Sequence, residues 1–102
     1  MSREVVDRSI DNSLCFGAYE DGEQIGFARV VTDRATFAHL MDVFVLSEYR
    51  GRGYGKELLR AVLSHPDLQG IRKFTLHTAD AHSLYEQFGF HLVEGGNLLM
   101  EL

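Results

Sequence analysis

The chain has one cysteine, one proline and no tryptophan in its 102 residues. A single thiol, Cys15, excludes an internal disulfide and any metal site built from several cysteines, and it points to a reducing cytoplasmic setting. No apolar run approaches the roughly 18 to 20 residues of a membrane span. The N-terminal MSREVVDRS also lacks the apolar stretch of a secretory signal. Cations are scarce: 10 Lys and Arg against 15 Asp and Glu leave a formal charge of −5. That balance argues against nucleic acid as the main partner, because phosphate binding needs a basic field. What remains is 45% hydrophobic and 25% charged, the ordinary mix of a folded domain. Pro66 and the glycines fall as punctuation without repeats or linkers, so residues 1–102 read as one domain.

Val5, Val6 and Ile10 sit at helix-compatible spacing in Met1 to Ile10, and Asp11-Asn12-Ser13 ends that segment. Leu14 to Glu20 predicts a strand, and Asp21-Gly22 a two-residue hairpin turn into a second strand, Gln24 to Thr32. Asp33-Arg34-Ala35 turns into a third, Thr36 to Leu46. Short connections cannot join parallel neighbours, so these three form an antiparallel meander. A glycine-rich stretch, Arg50 to Gly55, then opens a helix from Lys56 through Leu63, stopped by Pro66 and Gly70. Lys73 to Thr78 is a short strand, and Asp80 is a natural N-cap for a helix through Gln87. A strand at His91 to Val93, a Gly95-Gly96-Asn97 turn and a last strand, Leu98 to Leu102, complete the chain. The strand–helix–strand unit from Arg50 to Thr78 implies a right-handed parallel crossover. The expected fold is α+β: a mixed sheet of about six strands with helices on its faces.

The densest chemistry lies at Arg50-Gly51-Arg52-Gly53-Tyr54-Gly55-Lys56. A helix tip carries N–H groups without intrahelical partners and a partial positive charge. Alternating glycines let a ligand approach the backbone, and Arg50, Arg52 and Lys56 add three cations. Together they suit a diphosphate. The bland alternative is a tight turn with solvated arginines, and a lone G-x-G-x-G does not decide between them. Glu57 follows Lys56 where a P-loop needs Ser or Thr, and the loop follows a meander rather than the βαβ start of a dinucleotide fold. Both of those nucleotide readings fail.

These residues resemble the GCN5-related N-acetyltransferase (GNAT) family, whose signature Arg/Gln-x-x-Gly-x-Gly/Ala is met by Arg50 to Gly55 after the Val43-Phe44-Val45-Leu46 strand end. A second stretch, Asp80-Ala81-His82-Ser83-Leu84-Tyr85-Glu86-Gln87-Phe88-Gly89-Phe90, is similar to the family's Asn-x-x-Ala/Ser-x-x-x-Tyr-x-x-x-Gly-Phe, with Asp80 where Asn is usual. The likeness runs from about Leu14 to Leu102. It implies an acyltransferase using acetyl-CoA, with loop amides from Arg52 to Lys56 on the pyrophosphate. It further implies that the strand ending at Val43 to Leu46 splays from Lys73 to Thr78, so that pantetheine enters beside the backbone of Val43 and Val45 like an added strand. The family's usual first strand and first helix have no counterpart before Met1. An uncovered sheet edge of that kind makes a homodimer an expectation.

Amide formation from a thioester needs a neutral amine and a protonated leaving thiolate. Because a free alkylamine has a pKa of about 10.4, a base helps. Tyr85 matches the family's general acid, against the alternative of a core aromatic with a satisfied hydroxyl. His39 is the candidate base: strict alternation puts His39, Met41, Val43 and Val45 on one sheet face and Asp42 on the other unless a bulge intervenes. An inert strand histidine, or a water chain in place of a base, is the alternative. Asp33 and Glu48 are weaker candidates. His65, His77, His82 and His91 read as a helix stop, a strand residue, a helix surface and a sheet edge. No metal site is expected, since none pairs at a ligand spacing. Cys15 and Phe27, Phe37, Phe44, Phe74, Phe88 and Phe90 read as core. The expectation is an N-acetyltransferase for a primary amine acting by direct attack. The alternative is an acetyl-CoA-binding regulatory module without turnover.

Overall fold

A computed structural model describes residues 2–94 and 98–102. The expected Gly95-Gly96-Asn97 turn lies outside the described residues. Helix α1 spans Arg3–Asp11, with the Ser2 hydroxyl accepting from the Val5 N–H at its start. Three strands follow, β1 (Leu14–Glu20), β2 (Glu23–Thr32) and β3 (Phe37–Val45), then helix α2 (Tyr54–Ser64) and strand β4 (Lys73–His77). Helix α3 (His82–Glu86) and strands β5 (His91–Leu92) and β6 (Leu99–Glu101) close the chain. The strands make one six-stranded sheet in the order β1-β2-β3-β4-β6-β5. Among the described residues only β3 and β4 run parallel, as the crossover through α2 requires. Asp21 and Gly22 both take positive φ, 51° and 81°, the backbone of the tightest hairpins.

The core lies on one face of the sheet. Ala28 and Val30 of β2, Ala38 and Leu40 of β3, Phe74 and Leu76 of β4 and Met100 of β6 meet Leu58, Leu59 and Val62 of α2. Each fully buried leucine contributes roughly 1.5–3 kcal/mol, which is what holds the helix on the sheet. Gly26 permits the contact: a Cβ there would stand 3.3 Å from Leu58 Cδ1 and 3.2 Å from the Phe44 carbonyl. The opposite face is largely bare. Val31, Phe37, Met41 and Phe44 are exposed there, with α1 packed beside β1.

Three expectations are corrected. Phe37 and Phe44 are exposed rather than core, because they alternate with Ala38 and with Val43 and Val45, which take the covered side. Cys15 is exposed as well, since it alternates with Leu14 and Phe16, which pack on the core. Asp80 does not cap α3. Ala81 occupies the N-cap without a side-chain bond, and the turn before it is held by Thr78, whose hydroxyl accepts from the Ala81 N–H at 3.1 Å.

Asp33 organises the β2–β3 turn. Its carboxylate accepts from the Ala35, Thr36 and Phe37 amides and from the Thr36 hydroxyl. Those bonds hold its pKa far below the usual carboxylate range, so the stabilisation is complete above about pH 4 and is lost as pH falls through the depressed folded value. Asp33→Ala is expected to lower the urea midpoint at pH 7 while narrowing the loss of stability on acidification. Equal midpoints for the two proteins at pH 7 would contradict the assignment.

Candidate active site

Pairing between β3 and β4 runs from Phe37–Lys73 to Leu40–Leu76 and stops there. Beyond that last pair the strands part, and a cavity of about 700 Å³ opens between them. Met41, Asp42, Val43, Phe44 and Val45 form one wall, and His77 to Ala81 the other. Leu84 and Tyr85 of α3 close the back, while Tyr49 to Gly51 and Gly53 to Gly55 border the end beneath α2.

A β-bulge produces the parting. Phe27 faces Phe44, but Arg29 already faces Met41, so two residues of β3, Asp42 and Val43, stand against one of β2. Asp42 takes φ 55°, a left-handed conformation that is uncommon inside a strand. Its carboxylate accepts from Arg29 Nε at 2.8 Å. Arg29, with 13% of its side chain exposed, also donates to the Ser13 hydroxyl at 3.0 Å. The bulge therefore has a side-chain anchor.

At the helix end, Gly53 is the N-cap of α2 with φ 87° and no side-chain cap. The first helical bond of the tip runs from the Glu57 N–H to the Gly53 carbonyl. The amides of Tyr54, Gly55 and Lys56 thus precede the first intrahelical donor and lie free for an anion. A ligand's diphosphate fits this tip on two counts, the bare donors and the open space over Gly51 and Gly53, where a Cβ would meet nothing within 4 Å. The tip is braced by the Tyr54 hydroxyl, which donates to the Glu20 carboxylate at 2.6 Å and whose pKa that bond raises.

The expected cofactor-binding residues divide. Val43, Val45, Arg50, Gly51, Gly53, Tyr54, Gly55 and Asp80 line the cavity. Arg52 does not: its guanidinium stands 5.2 Å over the Tyr49 ring and 3.8 Å from Glu20, because an aromatic face and a carboxylate draw it toward β1. Lys56 is exposed and off the wall. Arg50 is tied to the strand end, its Nε donating to the Val45 carbonyl at 3.0 Å. The cluster of three cations becomes one fixed arginine beside main-chain donors.

Tyr85 is 7% exposed and packs against Phe90 with ring centroids 6.0 Å apart. Its hydroxyl has no protein partner among the described residues, yet no buried side-chain polar atom there lacks one, so the hydroxyl opens on the cavity. Burial first, and the charge of Asp80 second, push its pKa up, which keeps the phenol protonated at neutral pH.

His39 is not where alternation put it. The bulge turns Val43 and Val45 toward the core side, packed with Leu40, and leaves His39 and Met41 on the bare face. His39 is off the cavity wall. Its Nδ1 lies 2.6 Å from the hydroxyl of the buried Thr75, and its ring is 5.4 Å from that of His77. Burial, then His77, lower its pKa. His77, read from sequence as a plain strand residue, does line the cavity. No sequence signal could have found it, because the register of a parallel pair is set by packing. Arg29 left a fainter trace as the one cation inside an apolar strand. Among the described residues no cluster of metal-ligating side chains occurs, and no helix is long and apolar enough to cross a membrane.

A model of the acetyltransferase (GNAT) domain matches residues 11–92. The chain is 60% identical to a Xanthomonas campestris pv. campestris protein assigned to the GNAT family, with a TM-score of 0.85 over 88% of this chain and 63% of that one. It is 34% identical to the [ribosomal protein bS18]-alanine N-acetyltransferase of Haemophilus influenzae, over 74% of this chain and 53% of the relative. A GNAT family acetyltransferase from Elizabethkingia anophelis, solved with acetyl-CoA bound, shares the fold at 16% identity and a TM-score of 0.73, over 98% of this chain and 80% of that one. The chain spans about half the length of the curated relatives it matches. The parted strands, the bare helix tip and these likenesses agree: the chain belongs to the GNAT acetyltransferase family.

Proposed function

We propose that this chain carries the acetyl-CoA site and reacting centre of an N-acetyltransferase that acylates a primary amine by direct attack. One observation carries the reading: a single cavity connects the free amides of α2, the unpaired edges of β3 and β4, and the Tyr85 hydroxyl. Gly53, Gly55 and Arg50 would hold the diphosphate, and the open strand edges at Val43 and Val45 the extended pantetheine arm. Acetyl-CoA supplies an activated acyl group, so that the amine lone pair forms the C–N bond while the C–S bond breaks with its electrons on sulfur. Tyr85 gives its proton to that sulfur as general acid. His77, on the wall, takes the proton released by the amine, with His39 behind it as the second station. Cys15 plays no part, since it lies outside the cavity lining, and nothing supports a covalent enzyme intermediate.

The test is release of CoA with a panel of primary amines, run beside a titration of acetyl-CoA binding. Amine-dependent release supports the reading. Binding without release for any amine favours a regulatory module that only holds the coenzyme. The pH dependence has a defined sign. His39 must be neutral to accept a proton, and its pKa is lowered. At saturating amine, the midpoint of the acid-side fall in kcat therefore lies below the ordinary histidine value of about 6.5. A midpoint well above that value would remove His39 from the proton path.

A further inference from the structure

Thr75 is the one buried polar side chain among the described residues, 3% exposed. Its neighbours Phe74 and Leu76 turn to the core, so alternation along β4 turns Thr75 to the bare face, together with Lys73 and His77. A hydroxyl on an uncovered face is ordinarily hydrated. This one is shielded because His39 is its in-register partner on β3 and lies against it, Nδ1 2.6 Å from Oγ1. The other ring nitrogen of His39, Nε2, has no protein partner among the described residues. The ring stands 5.4 Å from that of His77 on the cavity wall, while Thr75 itself is off that wall. One imidazole is thus held by a single buried hydroxyl at one nitrogen and left open at the other.

We infer that Thr75 is the positioning residue of the proton path: its Oγ1 accepts from Nδ1–H of His39, which leaves Nε2 as the atom that takes the proton. This rests on the acetyltransferase reading above and deepens it. Which nitrogen of a neutral imidazole is basic is set by the hydrogen bond at the other. With Thr75 accepting, Nδ1 keeps its proton in both charge states, so Nε2 gains and loses one without any turn of the hydroxyl. The reverse arrangement, Thr75 donating to Nδ1, would put the proton on Nε2 and close the ring as an acceptor toward His77. The accepted bond also strengthens as the ring becomes charged, which favours the imidazolium formed when the amine's proton arrives. The other titratable and charged groups near His39 do not fix its ring. His77 and Lys73 flank Thr75 on β4, and on β2 Arg29 is bound to Asp42. Glu101 on β6 pairs with Thr75, with its carboxylate 4.0 Å from His91 Nε2 of β5. None of them hydrogen-bonds to His39 among the described residues.

Nitrogen NMR of the imidazoles tests the tautomer on the wild-type chain, the His39 signals being those missing from His39→Gln. Neutral His39 is expected to carry its proton on Nδ1, and a proton on Nε2 overturns the inference. Thr75→Val keeps the branched shape and removes the hydroxyl. In that variant the His39 ring is expected to populate both tautomers. Its titration moves down by up to about one pH unit, because the bond to the charged form is gone. Plateau kcat at saturating amine falls about 10- to 100-fold, the range of one hydrogen bond to a charged group. The acid-side midpoint of kcat shifts down with the NMR titration, and acetyl-CoA affinity is unchanged. Thr75→Ser, which keeps the hydroxyl, is expected to retain the single tautomer and most of the rate. A role in packing alone would lower the urea midpoint of Thr75→Val and leave the tautomer, the titration and the kcat midpoint in place, and that result overturns the inference. If the imidazole responds as expected while wild type acetylates no amine, the Thr75–His39 pairing stands and the acetyltransferase reading fails.

Discussion

Tyr85→Phe lowers kcat for amine acetylation by about 100- to 10,000-fold, the range of a positioned general acid, and leaves acetyl-CoA affinity unchanged. The substitution removes one oxygen that has no protein partner among the described residues, so the ring keeps its packing on Phe90 and thermal stability stays near wild type. A high pKa suits the role. The phenol, held protonated by burial, has its proton available at the moment the thiolate leaves, and Asp80 nearby disfavours the phenolate further. The check is single-turnover kinetics with the variant saturated in acetyl-CoA. Turnover within about threefold of wild type would remove Tyr85 from the chemistry and hand protonation of sulfur to water.

Gly53→Asp abolishes acetyl-CoA binding at concentrations that saturate wild type. Gly53 sits at φ 87°, where a side chain costs on the order of 1–3 kcal/mol, and a carboxylate there also faces the ligand's diphosphate. A loss of ~3 kcal/mol corresponds to about two orders of magnitude in affinity. Asp is a favoured N-cap residue, so α2 survives and the far-ultraviolet spectrum is retained, which separates lost binding from lost folding. Gly53→Ala isolates the conformational part and is expected to weaken binding less than the aspartate. If Gly53→Asp binds acetyl-CoA as wild type does, the helix tip is not the diphosphate site.

Both predictions rest on a site whose parts differ in how far they can be read from residues alone. Local rules served wherever one short stretch decides its own backbone. Asp21-Gly22 dictated a hairpin because its φ values favour few other residues. The apolar spacing of Leu58, Leu59 and Val62 dictated a helix covering one sheet face, and three alternating glycines marked the tip before it. The meander, the crossover and the place of Tyr85 on the cavity followed from such signals and from the likeness of two motifs.

Failures came where a distant residue intervened. Alternation put His39 with Val43 and Val45, and one extra residue at Asp42, paid back by Arg29 from the neighbouring strand, reversed the face of everything after it. Arg52 counted as a phosphate ligand until Tyr49 and Glu20 claimed it. Phe37 and Phe44 counted as core because hydrophobicity does not say which side of a sheet is covered. By itself the sequence determined the order of elements and the free donors at the tip of α2, since both follow from conformational preferences within a few residues. Only the tertiary structure decided where β3 leaves β4, which histidine reaches the cavity and what Asp42 is bound to. Strand register and side-chain pairing are settled by packing energies between segments far apart in the chain.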